Sequence, residues 1–311
     1  MSAGSPTGDR EQDDGRYDVR RLRTIVTAAL VAALALAGCS DQPDVPPDVT
    51  VSGVPGAAPT ITYLTPLDVS STYRTTIWPG TGAAVVDDKP VLLDYWIEDS
   101  TDASLVDQSY ASSPVARTLS EADLGSDLYK TIAGQRVGAR LLQVSPGGGS
   151  GGGSSPTVTV VDLLPVRADG QKVPDVRSDL PKVTLASNGE PTIEPTGKAA
   201  PTDLVTQALI RGSGTQVSAT DTVTVQYTGF SWKTGEAFDS TWTSGVPVSF
   251  SLEDVPTWAE GLVDQPAGSQ VMLVVPPTYA LGATESKALK GQTVVFVIDI
   301  LATRTPQGAA S

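Results

Sequence analysis

Tyr227 and the Phe238-Asp239 pair are the residues of this 311-residue chain whose types and spacing first call for a chemical reason. Tyr227 ends the run "TVTVQY", in which Val223, Val225 and Tyr227 fall on one face of a half-buried strand. Phe238-Asp239 follows in "TGEAFDS", a ring and a carboxylate side by side, and the carboxylate calls for a hydrogen-bond partner. A buried carboxylate needs such a partner, because an unpaired one is costly to desolvate. Aromatics at alternate strand positions are usually plain core. An acid placed directly after a phenylalanine in an apolar strand asks for a further reason.

What the chain lacks narrows the chemistry. It has no histidine, which excludes Ser-His-Asp and Cys-His nucleophilic sites and every His-ligated metal site. Its one cysteine, Cys39, has no second thiol to pair with. The formal charge of −14 repels polyanions, so nucleic acid is not an expected partner. The run "VSPGGGSGGGSSP" lacks the Gly-Lys-Ser/Thr of a phosphate loop and has the composition of a flexible linker. These absences suit a site that works without a histidine-based triad or a histidine-held metal.

The elements that must hold these residues are mostly strands. With 24 prolines and 30 glycines but 5% aromatic residues, the composition favours β-structure with many turns. Val271–Val275 and Val294–Leu301 are apolar runs of strand length, and Val255–Gln265 ("VPTWAEGLVDQ") reads as one short helix between strands. The expected fold class is α+β, with a curled antiparallel β-sheet wrapped around one short α-helix.

The chain also repeats itself. "PDVTVSGVPGAAPTI" matches "PKVTLASNGEPTI", "WPGTGAAVVDDKPVLLDYW" matches "IRGSGTQVSATDTVTVQYTG", "LVDQSY" matches "AFDSTW", and "TVTVVDLLP" matches "TVVFVIDILA". Four matches in one order predict two homologous domains, 47–165 and 178–304, joined by a polar linker at 166–177 and followed by a tail at 305–311.

At the N-terminus, Arg20, Arg21 and Arg23 precede an apolar run from Thr24 to Gly38, too short for a spanning helix and suited to a signal peptide. Its end, Leu36-Ala37-Gly38-Cys39, resembles a bacterial lipobox, which implies cleavage before Cys39 and lipidation of it. Residues 1–38 are then a lipoprotein signal peptide, and the Pro-rich, acidic 39–46 a tether holding the rest off a membrane.

"GSG", "DTVTVQYTG", "TGEAFDS", "WAEGL", "AGSQVMLVVPPTYALG" and "TVVFVIDIL", in that order over 205–303, resemble the FKBP-type peptidyl-prolyl cis/trans isomerases, here of the two-domain actinobacterial lipoprotein kind. The resemblance implies a five- or six-stranded sheet over one helix and an apolar pocket for proline, lined by Tyr227, Phe238, Asp239, Trp258 as floor, and Phe296. It implies that the Val255 amide binds a substrate carbonyl and that Val248 or Phe250 fills the next wall, in a pocket that needs no nucleophile, metal or cofactor. The implied partners are proline-containing unfolded or exported polypeptides, and macrolide-type ligands of the family. One position departs: Leu281 stands where the family commonly has a tyrosine hydroxyl, while Tyr279 matches a packed tyrosine. Loss of that hydroxyl leaves a non-catalytic chaperone or peptide-binding module as the alternative reading.

The first domain departs further. Tyr95 matches Tyr227, but Val106-Asp107 stands for Phe238-Asp239, Thr159 for Phe296, and Leu128 or Tyr129 for Trp258. The Gly-Ser run replaces the segment around Tyr279 and Leu281. A framework without the aromatic cage is expected there.

Overall fold

The computed structural model describes residues 47–148, 155–279 and 291–306. The leader, Cys39, part of the Gly-Ser run and Leu281 lie outside the described residues. The first half of the described chain carries β1 (Thr50–Ser52), β2 (Thr60–Thr62), β3 (Tyr73–Trp78), β4 (Pro90–Asp99), β5 (Leu105–Gln108), β6 (Val115–Thr118), α1 (Glu121–Ile132), β7 (Arg140–Ser145) and β8 (Thr157–Leu164). The second half carries β9 (Gln171–Lys172), β10 (Lys182–Leu185), β11 (Pro191–Glu194), β12 (Val205–Arg211), β13 (Thr222–Ser231), β14 (Ala237–Ser240), β15 (Val248–Ser251), α2 (Pro256–Leu262), β16 (Gln270–Val275) and β17 (Val294–Arg304).

Both halves use one antiparallel plan. The first sheet runs β3-β7-β8-β4-β5 with β6 beside β4, and the second runs β12-β16-β17-β13-β14 with β15 beside β13. The second sheet has one more strand, β9, on its β12 edge. The mostly β content with two short helices is the α+β class expected.

The apolar runs of β16 and β17 have a physical cause, since both faces of this sheet are covered. One face sends Val271, Leu273, Phe296 and Ile298 towards Trp258 and Leu262 of α2. The other sends Met272, Val274, Val295 and Val297 against Leu180, Ile193 and Trp232. Ile193 belongs to the β10-β11 hairpin, and β1-β2 does the same for the first sheet, where Val51 and Ile61 pack on Leu142, Val144, Val158 and Val160. Each side chain fully buried in this way contributes roughly 1.5–3 kcal/mol. The first of the four repeated motifs is therefore a hairpin lid over the back of each sheet.

The helix is shorter than its sequence suggests. Pro256 occupies the first helical turn, where its missing N–H is not needed. A 3₁₀ turn, Leu252–Asp254, leads into it, with the Ser251 hydroxyl accepting from the Glu253 amide at 3.2 Å. The helix stops at Leu262 because Asp264 turns to φ 65°, so Val263, Asp264 and Gln265 belong to the turn into β16. In α1, Gly125 (φ 73°, ψ 158°) breaks the helical backbone.

The two halves meet within one compact unit, Pro46–Ser311. At their contact Arg304, from the end of β17, pairs with Asp94 on β4, which is fully buried and also accepts from the Ser109 hydroxyl at 2.8 Å. Burial pushes the Asp94 carboxyl above its usual range, and the Arg304 charge works against that shift.

Candidate functional site

β13 and β14 pair with Gly229 opposite Asp239, then skip a residue so that Phe230 faces Ala237. Phe238 is the extra residue of this bulge. Strict alternation would send Phe238 and Asp239 to opposite faces; the bulge lets both turn to one side. Phe238 then meets Phe296 edge-on at 5.8 Å between ring centroids, while Asp239 accepts from the Tyr227 hydroxyl at 2.6 Å.

The remaining rings close the cluster by edge-to-face contacts. Trp258 lies 5.2 Å from Tyr227, 5.1 Å from Phe296 and 5.2 Å from Phe250. Such pairs each add about 0.5–1.5 kcal/mol beyond the area they bury. Trp258 and Phe296 are buried, whereas Tyr227, Phe238 and Phe250 are half-buried, so the cluster has a closed floor and a rim towards solvent. Burial, and then the bond to Asp239, raise the Tyr227 hydroxyl pKa well above its ordinary value. The phenol therefore stays a neutral donor across the ordinary pH range.

Some expectations need adjusting. Asp239 is exposed, so its bond to Tyr227 anchors the rim and does not rescue a buried charge. Of Val248 and Phe250, it is Phe250 that packs on Trp258, and Val248 is exposed. Val255 packs against the cluster, but its amide already donates to the Leu252 carbonyl at 3.2 Å. A substrate carbonyl has to compete with that bond. Tyr279 packs on the same core, and Leu281 lies outside the described residues. A hollow of about 650 Å³, beside Lys198, Trp232 and Lys233, lies on the hairpin side of the sheet, where Trp232 packs.

Two supporting residues escaped the sequence reading. A Cβ on Gly229 would lie 2.6 Å from Phe238 Cζ and 2.9 Å from Phe296 Cε1, so only glycine leaves room for both rings. The available signal was a glycine inside an otherwise β-branched strand. Thr241 holds the strand from behind, its hydroxyl accepting from the Tyr227 amide at 2.9 Å and donating to Gln226 Oε1 at 2.5 Å.

The first half has no glycine at the corresponding register position. Ile97 faces Asp107 and Thr159 as Gly229 faces Asp239 and Phe296. Ile97 brings a side chain where Gly229 has none, and Val106 and Thr159 are smaller than the phenylalanines of the second half. Tyr95 keeps its bond to Asp107 at 2.8 Å, and Arg117 takes the register position of Phe250. Leu128, one turn before the buried Ile132, lines the hollow as Trp258 does one turn before Leu262. Tyr129 turns away instead, its hydroxyl bonded to Asp87.

Known proteins match the half that has the rings. Residues 213–301 match the family model for FKBP-type peptidyl-prolyl cis-trans isomerases. A probable FK506-binding protein of Corynebacterium glutamicum is 37% identical over 114 residues, 36% of this chain and 97% of that protein. An FK506-binding protein of Streptomyces anulatus is 32% identical over 119 residues, 36% of this chain and 96% of that protein. The isomerase FkpA of Escherichia coli is 37% identical over 106 residues, covering 33% of this chain and 39% of FkpA. The crystal structure of FkpA aligns at 32% identity and TM-score 0.31, over 40% of this chain and 52% of that one. Near-complete coverage of the two FK506-binding proteins, together with a family-model match whose span, 213–301, holds the ring cluster and its Tyr-Asp anchor, shows that the chain belongs to the FKBP-type peptidyl-prolyl cis-trans isomerases.

Proposed function

We propose that the ring cluster of residues 178–304 rotates Xaa-Pro bonds by enclosing the proline in an apolar site, without covalent chemistry. The barrier, about 18–20 kcal/mol, comes from amide resonance, which the twisted bond has lost. With resonance gone the amide is less polar, so a water-poor site disfavours it less than water does. Trp258 and Phe296 supply the floor, and Phe238, Tyr227 and Phe250 supply the walls. The Asp239 carboxylate fixes the Tyr227 ring. The Val255 amide, released from Leu252, binds a substrate carbonyl and adds orientation. The observation that supports this reading most directly is the convergence of five rings around one Tyr-Asp bond.

In this reading 47–165 is a degenerate domain of the same plan, 166–177 a linker, and Cys39 the lipidated start of a mature chain on the outer face of a bacterial membrane. The clients are exported, proline-containing polypeptides. The leader pattern before Cys39 supports this, as does a relative described as an outer membrane protein, MIP of Legionella longbeachae, 35% identical over 107 residues. Among the described residues no helix is long and apolar enough to cross a membrane. Two acyl chains anchor a protein stably where one does not.

A chaperone that holds clients in the same cluster without rotating them is the competing reading, favoured by Leu281. A prolyl isomerisation assay on the full chain, wild type against Phe238→Ala, decides between them. Rotation lost with the ring supports the isomerase site; peptide binding without rotation supports the chaperone.

A further inference from the structure

We propose that the hollow of the first half is a second client site, which takes one aliphatic side chain of an extended segment flanked by lysine or arginine, and does not rotate prolyl bonds. The hollow measures about 190 Å³. An apolar cavity of about 150 Å³ accepts a benzene-sized guest, so a leucine or isoleucine side chain fits here. Leu93, Ile97, Leu124, Leu128 and Val161 give it a mainly aliphatic lining, with Tyr95 and Thr159 beside them. Burying a leucine against such walls is worth roughly 1.5–3 kcal/mol.

The rim decides what flanks that side chain. Asp107, Arg117 and Asp123 are exposed at the mouth, two carboxylates against one guanidinium. Asp107 is fixed by the Tyr95 hydroxyl at 2.8 Å, and Asp123 by the Thr118 amide at 2.5 Å, so neither is folded away over the opening. Each carboxylate keeps lone pairs for an incoming donor. Arg117 lies along its own strand, donating to the Ala116 carbonyl at 3.1 Å. With the chain at −14 overall, the local field draws a cationic segment and repels an acidic one. The site keeps one aromatic residue, Tyr95, where the other half gathers five rings. Its preference is therefore for an aliphatic and basic segment, and its role is to hold a client.

This inference stands apart from the isomerase reading, because its residues, probe and readout are all in the first half. The probe is a fluorescein-labelled peptide, Gly-Lys-Leu-Ser-Lys-Gly, which has no proline, titrated by anisotropy against the full chain at low salt. Binding is expected to weaken about tenfold or more when Leu128→Trp fills the hollow, or when the peptide leucine becomes glycine. Arg117→Glu, which adds negative charge at the rim, is expected to tighten binding severalfold, and about 1 M salt to remove that gain. Val115→Phe narrows the mouth and serves as a second blocking variant should Leu128→Trp fail to fold. Phe238→Ala should leave this binding unchanged. No binding to the wild type, equal binding to both blocked variants, or loss of binding in Phe238→Ala would overturn the proposal.

Discussion

Gly229 and Phe296 face each other across β13 and β17, and the missing Cβ of one is what admits the ring of the other. In the first half the corresponding pair is Ile97 and Thr159, so bulk has moved from the wall to the strand floor. Neither phenylalanine could be restored there without also removing Ile97. The two halves share a frame and differ in which residue fills one small volume.

Gly229→Ala should therefore act like a misplaced core side chain. Its methyl meets Phe238 and Phe296 at well under van der Waals distance, and overpacking of this kind costs about 1–3 kcal/mol. Thermal unfolding should drop accordingly, and isomerase activity should fall even at temperatures where the protein stays folded. Full activity with unchanged stability would show that the two rings are not fixed as described.

The individual rings should separate structure from function. Phe296 is fully buried, so Phe296→Ala is expected to cost about 3–5 kcal/mol and to report mainly on folding. Phe238 is half-buried on the rim, so Phe238→Ala should spare most of the stability while lowering kcat/KM about tenfold, roughly 1.4 kcal/mol of lost transition-state contact. Chemical denaturation and the isomerase assay on the same samples check both statements.

Asp299 predicts a pH dependence of stability. Asp162 sits opposite Arg140 with the guanidinium 2.6 Å away, but Asp299 sits opposite Gln270, which donates at 2.7 Å without charge. The Ala168 amide supplies its other bond, at 2.8 Å. Burial pushes the Asp299 carboxyl up to about 6, and these two donors only partly oppose it. Because the folded pKa lies above the unfolded one, protonation favours the fold. This contribution is full below about pH 4 and is lost as pH rises through 6, amounting to on the order of 2–3 kcal/mol. Asp299→Asn, with Gln270 turned to accept, should remove that dependence and raise stability at neutral pH. An unchanged stability-pH profile would contradict the assignment.

Arg140 and Asp162 form a buried ion pair that should not tolerate the loss of one partner. Both are buried, Asp162 also accepts from the Tyr110 hydroxyl at 2.9 Å, and the Arg140 guanidinium lies 4.5 Å over the Trp78 ring. Arg140→Met strands a buried carboxylate and should cost about 3–5 kcal/mol. The double change Arg140→Met with Asp162→Asn should recover much of it. A double-mutant cycle by denaturant unfolding measures the coupling.

Much of this was legible in the sequence because period and order carried it. The strand face Val223, Val225 and Tyr227 and the helix at Trp258 both follow from spacing. What spacing could not supply is where the period breaks. The bulge at Phe238 turns two consecutive side chains to one side, and the φ of Asp264 ends the helix early. Nor did local sequence say that the "PKVTL" and "PTIE" segments form a lid over the back of the sheet. That depends on a contact between distant segments, and it is why β16 and β17 are apolar throughout rather than alternating.

The central claim is that rotation of Xaa-Pro bonds resides in the ring cluster of the second half. The most direct test is cis-to-trans isomerisation of a Xaa-Pro peptide by the full chain, compared among wild type, Phe238→Ala and the first-half variant Leu128→Trp, each checked for native unfolding behaviour. The account predicts catalysis by the wild type and by Leu128→Trp, and a loss of about tenfold in Phe238→Ala. An inactive wild type, or a loss in Leu128→Trp with Phe238→Ala unaffected, would contradict it.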